Sequence, residues 1–339
     1  MLTDIELNQL HTNQRLLIIE MQKRKIDVSI LDKDMELIEA KYGKHKELIL
    51  DRDSSITPYT ESIVAGDKFI TKRLLERENI SVPKGDSFFF DEIEKAKQYA
   101  KELIYPVVVK PSFGSHGDNV FMNVKDENDL ENCINTIIED IGKSKDYIIE
   151  EQFEGNEYRV FVTKNGDYAV LHREPAYVIG NGKNTIKELI DIENEKRKER
   201  INCLCPISTD NITIRCLEIK KLSLDFIPAD NEKVYVRTNS NLAKGGVCED
   251  FTDRTHKTVI EICKKILEVF PGLHYIGVDF MTKDITKEQD KNSYRIIEVN
   301  TVPGIHMHMR PSIGKPQNVA KYMVDMIFPE TKEQENGKS

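Results

Sequence analysis

Two short segments near the C-terminal end, YIGVDFM (275–281) and YRIIEVN (294–300), constrain the fold more than any other part of the chain. Ile276, Val278 and Phe280 on one, with Ile296, Ile297 and Val299 on the other, make both segments apolar on both faces. That is the pattern of strands covered on two sides. The charged loop TKDITKEQDKNS joins them, so antiparallel pairing is expected. Side chains alternate along a strand, which puts Glu298 and Asn300 on one face and Asp279 beside them. Two carboxylates and an amide then converge, with no Lys or Arg evident between them. Such a cluster is costly unless a cation sits in it. Hard oxygen donors suit Mg²⁺, which is typically held by one or two carboxylates plus substrate phosphates. The competing reading, three unrelated polar residues on an exposed face, fits poorly with the apolar residues that flank them.

A magnesium site of this kind calls for phosphates nearby. VVVKPSFGSHGDNV (107–120) supplies candidates. Lys110 ends an apolar strand, and the loop Ser112 to Gly117 offers backbone N–H groups beside glycines that allow close approach. The segment is not a Walker A motif, because G-x-x-x-x-G-K-[ST] is absent and a strand follows. GNGKNT (180–185) fails the same test, with Asn184 where Ser or Thr is required. A glycine loop by itself also fits an ordinary hairpin. Glu150 and Glu151 end another apolar strand, and Glu157 opens the next. A strand end can read a purine edge and a carboxylate can accept from ribose hydroxyls; an acidic surface turn explains the same residues. After Asn300, Pro303-Gly304 turns the chain into His306, His308 and Arg310. His306-x-His308 could form half of a zinc site but lacks further ligands nearby, and His306 also reads as an exposed loop residue.

The 339 residues suffice for a large core and more than one lobe. A net charge of -9 argues against nucleic-acid binding, which favours a basic excess. No run of about 18 apolar residues exists, so no membrane span is expected, and the N-terminus lacks a signal-peptide layout. The six cysteines are scattered, with only Cys203 and Cys205 close, as expected for reduced thiols in a cytoplasmic protein. Periodicity predicts a small α/β piece over residues 1–60, with a helix in NQRLLIIEMQKRK, strands in DVSILD and KELILD, and a loop at SSITPYT. A helix is expected at DKFITKRLLEREN. YPVVVKP, VFMNV and DYIIEEQF read as strands around the helix ENDLENCINTIIEDI, one βα unit headed by a hairpin. EYRVFVT, YAVLHRE, ITIRCLEI and KVYVRT read as strands enclosing the polar helix NTIKELIDIENEKRKERI, whose charge run reads as a solvated face. Val259, Ile262, Cys263, Ile266 and Phe270 form the stripe of an amphipathic helix. PQNVAKYMVDMIF reads as the last helix, before a mobile tail.

In the order DKFITK, VVVKPSFGSHGDNV, IIEEQFEGNEYRVFV, GVDFM and IIEVNTVPG, the chain resembles the ATP-grasp ligases. It is most similar to the ATP-grasp portions of cyanophycin synthetase and of bifunctional glutathione synthetases, through HREPAYVIGNGKNTIKELI, VRTNSNLAKGGVCEDFTDRTH and HMHMRPSIGKPQNVAKYMVDMIFP. VSILDKDMELIEAKYGKHKELI is similar to the segment that precedes the ligase core in the glutathione enzymes, so the likeness spans residues 12 to 330. It implies a mixed α/β (α+β) ATP-grasp fold, two lobes clasping ATP. The divisions expected are a small N-terminal segment (1–65), a nucleotide-lid lobe (66–155), a metal- and substrate-bearing lobe (156–330) and a tail (331–339). It also implies that ATP is used with Mg²⁺, or Mn²⁺, to join a carboxylate to an amine through an acylphosphate. Lys72 and Lys110 match phosphate lysines, and Ser112, Gly114, Ser115 and Gly117 the loop over the phosphates. Glu150 and Phe153 match the adenine hinge, Glu157 the ribose carboxylate, and Asn241, with Arg237, the loop facing the phosphates. Asp279, Glu298 and Asn300 match the metal ligands. Arg173, Arg310 and His308 match substrate or transition-state contacts. The expected substrates are amino acids or short peptides, with no nucleic-acid or membrane partner, and homodimers are common in the superfamily. Asn181 stands where the family pattern has Asp. The further ligase domains of both relatives are missing here, which implies one ligation or a partner protein. A kinase on the same scaffold and a degenerate nucleotide-binding module are the alternatives.

Overall fold

The computed structural model describes residues 2–112, 119–142, 146–198, 204–238 and 240–334. The N-terminal part runs α1 (Asp4–Leu7), α2 (Thr12–Lys23), β1 (Asp27–Asp32), β2 (Leu37–Tyr42), β3 (His45–Leu50), α3 (Tyr59–Gly66) and α4 (Lys68–Arg77). β1-β2-β3 is an antiparallel meander. β2 was not expected; its sequence, LIEAKY, has only short apolar stretches, yet Ile38 and Ala40 are fully buried. α3 likewise starts inside the segment read as a loop, directly after Pro58, a residue suited to a helix entrance.

The next group comprises β4 (Gly85–Phe88), α5 (Ile93–Leu103), β5 (Val107–Pro111), β6 (Phe121–Val124), α6 (Glu127–Ile141) and β7 (Tyr147–Glu151). The four strands form an antiparallel sheet in the order β4-β7-β5-β6. α5 and α6 cover it: Ala96, Ala100, Leu130, Ile134 and Ile137 bury against Val107, Val109, Tyr147 and Ile149.

The remainder holds β8 (Asn156–Thr163), β9 (Tyr168–Glu174), β10 (Tyr177–Ile179), α7 (Ile186–Lys198), α8 (Asn211–Ile219), β11 (Lys233–Tyr235), β12 (Val247–Asp250), α9 (Lys257–Val269), β13 (Tyr275–Thr282), β14 (Tyr294–Asn300), α10 (His306–Met309) and α11 (Val319–Ile327). ITIRCLEI, expected as a strand, is α8. Asp210 caps it by accepting from the N–H groups of Ile212 and Thr213, and Thr213, Cys216 and Leu217 bury at helical spacing. The β-branched residues that suggested a strand, Ile212 and Ile214, are on its exposed side. Nor is the α7 charge run wholly solvated: Arg197 is buried and donates to the carbonyls of Cys205 and Gly245 at 2.6 and 2.9 Å.

β12-β9-β8-β13-β14 is one antiparallel sheet. Its first face carries Tyr158, Val160, Val162, Ile276, Val278 and Phe280 against α9. The predicted stripe is there, with Val259, Cys263, Ile266 and Phe270 each at most 2% exposed. Full burial of Val259, Ile266 and Phe270 contributes about 1.5–3 kcal/mol each. The second face is divided. At one end Phe161, Ala169 and Tyr275 join a core with α2, β1–β3 and α11. At the other end the same face turns polar. The expected tail is partly held: Thr331 is fully buried, bonded to Phe328 and to Arg24, the residue that caps the C-terminus of α2. Residues 335–339 lie outside the described residues.

Candidate functional site

The polar end of the second face lies where the sequence placed its carboxylates. β13 and β14 pair antiparallel, with Asp279 directly opposite Glu298 and Gly277 opposite Asn300. Asn300 Nδ2 donates to the Gly277 carbonyl at 3.4 Å, leaving its own side-chain carbonyl for another partner. Gly277 is required here: an added Cβ would stand 2.7 Å from Pro303 Cβ and 3.4 Å from the Arg159 side chain.

The expectation that no cation lies within this cluster is corrected. β8 places Arg159 directly opposite Asp279, and β9 places Arg173 opposite Glu157. Arg159 Nε donates to Asp279 Oδ1 at 2.6 Å and Arg173 Nη2 to Oδ2 at 2.8 Å. Arg173 also pairs with Glu157, whose other oxygen accepts from Ser240. Burial pushes the Asp279 carboxyl up, but the two guanidinium groups outweigh it and hold the group below the usual carboxylate range. Glu298 is treated differently. Burial, then the charge of Asp279, raise its pKa, and no hydrogen bond or ion pair engages its carboxylate among the described residues. The described residues hold no group of three or more His, Cys, Asp or Glu around a common point. Two carboxylates and the Asn300 carbonyl are therefore the oxygen donors on offer, one carboxylate destabilised by burial and by the charge of Asp279, which Lys68, Arg159 and Lys110 only partly offset. That donor set fits a hard divalent ion.

Across from the carboxylates stand two lysines. Lys110 on β5 and Lys72 on α4 both contact Glu150 of β7, Lys110 Nζ at 2.6 Å from Oε1. All three are at most 5% exposed. Gly85 lets β4 close on them; a Cβ there would stand 2.7 Å from Glu150 Cβ. Two ammonium groups share one carboxylate, which leaves a buried excess of positive charge. Burial lowers the Lys110 pKa to about 8, with Lys68 adding to the effect and Glu298 and Asp279 opposing it. Burial, then Lys110, push Lys72 well down. An anion placed between the lysines and the carboxylate strand would relieve both. The Glu150 side chain is held by the lysines, so any contact with a base at this edge falls to the backbone.

The other expected residues divide into near and remote. Ser112 is buried, its Oγ donating to Asp146 at 2.7 Å; Gly114, Ser115 and Gly117 lie outside the described residues. Phe153 lies under the Arg295 guanidinium, 4.7 Å from ring centre to cation. Asn241 accepts from Ala243 in the short 3-10 turn Leu242–Lys244, just after Ser240. Arg237 is drawn aside: it is buried and donates to Asp210 at 2.6 Å, the cap of α8. His308 is fully buried, and neither ring nitrogen has a hydrogen-bond partner among the described residues. Burial, then Arg159, push its pKa far down, so the ring is neutral. Arg310 ends α10 without an ion pair among the described residues. His306, which could be read as exposed, is half-buried and bonded to Asn13. Arg159, Ser240 and Asn13 were missed. Strand parity from Glu157 would have exposed Arg159; no local signal marks the other two.

Comparison with known proteins bears on the family and the fold. Residues 65–222 match the RimK-like ATP-grasp domain family. The chain is 34% identical over 317 residues to a cyanophycin synthetase of Synechocystis sp., covering 92% of this chain and 36% of that protein. It is 31% identical to the glutathione biosynthesis bifunctional protein of Clostridium perfringens, covering 94% of this chain and 41% of that one. The chain thus spans about two fifths of the length of these curated relatives. Among solved structures, a bifunctional glutathione synthetase from Pasteurella multocida superposes with a TM-score of 0.68 at 27% identity, over 95% of this chain and 44% of that one. Facing lysines and carboxylates, the sheet pair that carries them and these likenesses lead to one assignment: the chain carries a RimK-like ATP-grasp domain and has the ATP-grasp fold.

Proposed function

We propose that the chain is an ADP-forming ligase that uses ATP to join the carboxylate of an amino acid or short peptide to an amine, through an acylphosphate. The observation that carries this reading is the buried positive pair Lys72–Lys110 facing the under-compensated carboxylate Glu298. In this reading the phosphates of ATP lie between the two, and residues 66–155 form the lobe that closes over the nucleotide. Asp279, Glu298 and the Asn300 carbonyl would hold Mg²⁺, which when bound neutralises phosphate charge. Lys72 and Lys110 stabilise the charge that spreads over the transferred phosphoryl group, since catalysis of this transfer is mostly positioning and electrostatics. Arg159 and Arg173 fix the Asp279 carboxylate in one orientation, so its lone pairs are aimed before any ligand arrives. Ser112, with Gly114, Ser115 and Gly117, belongs to the loop expected to cover the phosphates and exclude water. Phe153 and the backbone beside Glu150 form the adenine edge, and Glu157 the ribose contact. Arg310 and His308 line the substrate side, with Arg173 between the two regions. Arg237 and Asn241 would approach the phosphates through the 237–246 loop, for which Arg237 must leave Asp210. Cytoplasmic action on free small molecules is part of the same reading; among the described residues no helix is long and apolar enough to cross a membrane.

The test is ADP release with Mg²⁺ and ATP against amino acids and dipeptides, singly and in pairs, with product masses recorded. ADP formed only with a pair, and a product one water lighter than the summed substrates, is the expected result. ADP with a single substrate and a product heavier by a phosphoryl group would replace the ligase by a kinase.

A further inference from the structure

Asn13, in the first turn of α2, reaches across to the chain that leaves β14. Its Oδ1 accepts from the backbone N–H of Ile305 at 3.0 Å and of His306 at 3.0 Å, and lies 3.1 Å from His306 Nδ1. An amide oxygen only accepts. The third contact therefore requires the proton of the imidazole on Nδ1. Burial, then Arg52 and Arg310, push the His306 pKa below its usual value, in keeping with a neutral ring. A neutral ring with Nδ1–H has a bare Nε2, and His306 forms no hydrogen bond through Nε2 among the described residues. A second N-terminal residue fastens the same stretch: Arg52 Nη2 donates to the Val302 carbonyl at 3.2 Å. The turn so held, α10, also carries His308, which feels the charges of Arg159 and Arg173. α10 therefore borders the Asp279 cluster.

We propose that Asn13 is a positioning residue for the substrate side: it fixes the 304–310 turn and locks His306 as the Nδ1–H tautomer, so that Nε2 presents a lone pair to an N–H of the amine substrate. This rests on the ligase reading, because only an amine-consuming reaction needs an N–H acceptor there. The N-terminal segment would then be part of the substrate pocket, through a side chain nearly 300 residues away in sequence from the ring it orients.

The experiment is a ring ¹⁵N–¹H correlation spectrum of the full chain at neutral pH, with steady-state kinetics of wild type, Asn13→Leu and Asn13→Asp. The expected wild-type spectrum shows His306 protonated at Nδ1 and bare at Nε2. Asn13→Leu should lose that fixed tautomer and raise the amine KM about tenfold, the scale of one hydrogen bond, with the ATP KM unchanged. Asn13→Asp keeps the acceptor and should retain the tautomer. An Nε2–H or doubly protonated ring in wild type overturns the proposal, as does an unchanged amine KM in Asn13→Leu. If Asn13→Leu fails to fold, the wild-type spectrum and Asn13→Asp decide. Absence of ligation by wild type removes the ligase reading and the amine with it, whereas the ring spectrum separately reports whether Asn13 orients His306.

Discussion

At the scale of single residues, the site is defined by charges that are badly off without a ligand. Lys110, lowered to about 8 from 10.5, loses its charge in the free protein as pH rises through that value. Binding a polyanion favours the ammonium, so the ATP KM should be flat below pH 8 and climb above it; a flat profile to pH 9.5 would remove Lys110 from the phosphate site. For stability the sign is opposite. Between about 8 and 10.5 the unfolded chain holds more protons on this group than the folded one, so the group favours folding increasingly as pH rises through that window. Glu298 gives a second contrast. Its raised pKa means that its charge is a burden in the free protein. Glu298→Gln should leave the urea midpoint unchanged or higher while abolishing Mg²⁺-dependent ATP turnover; retained turnover would sink the metal proposal. The sequence showed Glu298 because strand alternation is simple and its strand is adjacent in the chain to that of Asp279, and Lys110 because it ends an apolar strand before a glycine loop. It offered Arg159 only as a strand-parity neighbour of Glu157; that this residue stands opposite Asp279 follows from a register between strands over a hundred residues apart. Asp279 is consequently an anchored carboxylate and Glu298 an unanchored one, a distinction that residue type alone does not carry.

At the scale of elements, reading succeeded where one face dominates and failed where the local pattern was ambiguous. α9 has one strong apolar stripe, the β13 and β14 segments are apolar on both faces, and all three were recognised. α8 was misread because alternating Ile212, Thr213, Ile214 fits a strand, whereas the Asp210 cap decides for a helix. β2 was missed because its buried residues are small or few, and its pairing with β1 and β3 supplies what its own propensity lacks. β13 shows how closely an element is fitted to the site. Gly277→Ala would drive a methyl group into Pro303, a residue with little freedom to yield, and against Arg159. Overpacking of this kind costs about 1–3 kcal/mol. Here the displacement also falls on the guanidinium that orients Asp279. Gly277→Ala should therefore lower both the urea midpoint and the turnover of ATP. Loss of stability with unaltered kinetics would show that Arg159 can shift without consequence.

At the scale of the whole molecule, the first fifty residues and the carboxylate-bearing sheet share one core. Leu17, Ile18, Met21 and Ile38 pack with Phe161, Tyr275, Met323 and Phe328. Beside that core Arg24, 3% exposed, donates to Glu20 at 3.0 Å and to Asp325 at 2.6 Å, and reaches the Lys321 carbonyl and Thr331. The sequence offered the Glu20–Arg24 pair by its spacing of four, but no route to Asp325, Lys321 and Thr331, which lie nearly the whole chain away. Arg24→Ala would remove the cation that Glu20 and Asp325 share, leaving Glu20 to Lys23 at 3.6 Å and Asp325 to Lys321 at 3.1 Å. Breaking a buried ion pair costs about 3–5 kcal/mol when the remaining charge is uncompensated; the lysines that stay beside Glu20 and Asp325 place the expected loss below that range. Because α2 also carries Asn13, the loss should not be confined to stability: at urea concentrations well below the midpoint the amine KM should rise before the ATP KM does, as the α2–α11 contact loosens first. Arg24→Met, which keeps bulk without charge, should be as destabilised as Arg24→Ala if the two carboxylates dominate, and much less so if packing does. Denaturation of the three proteins, followed by tyrosine fluorescence alongside the two KM values, separates these cases. If Arg24→Ala matched wild type in both stability and kinetics, α2 would be a decoration on the ATP-grasp core, and the role proposed for it beside the substrate would fall.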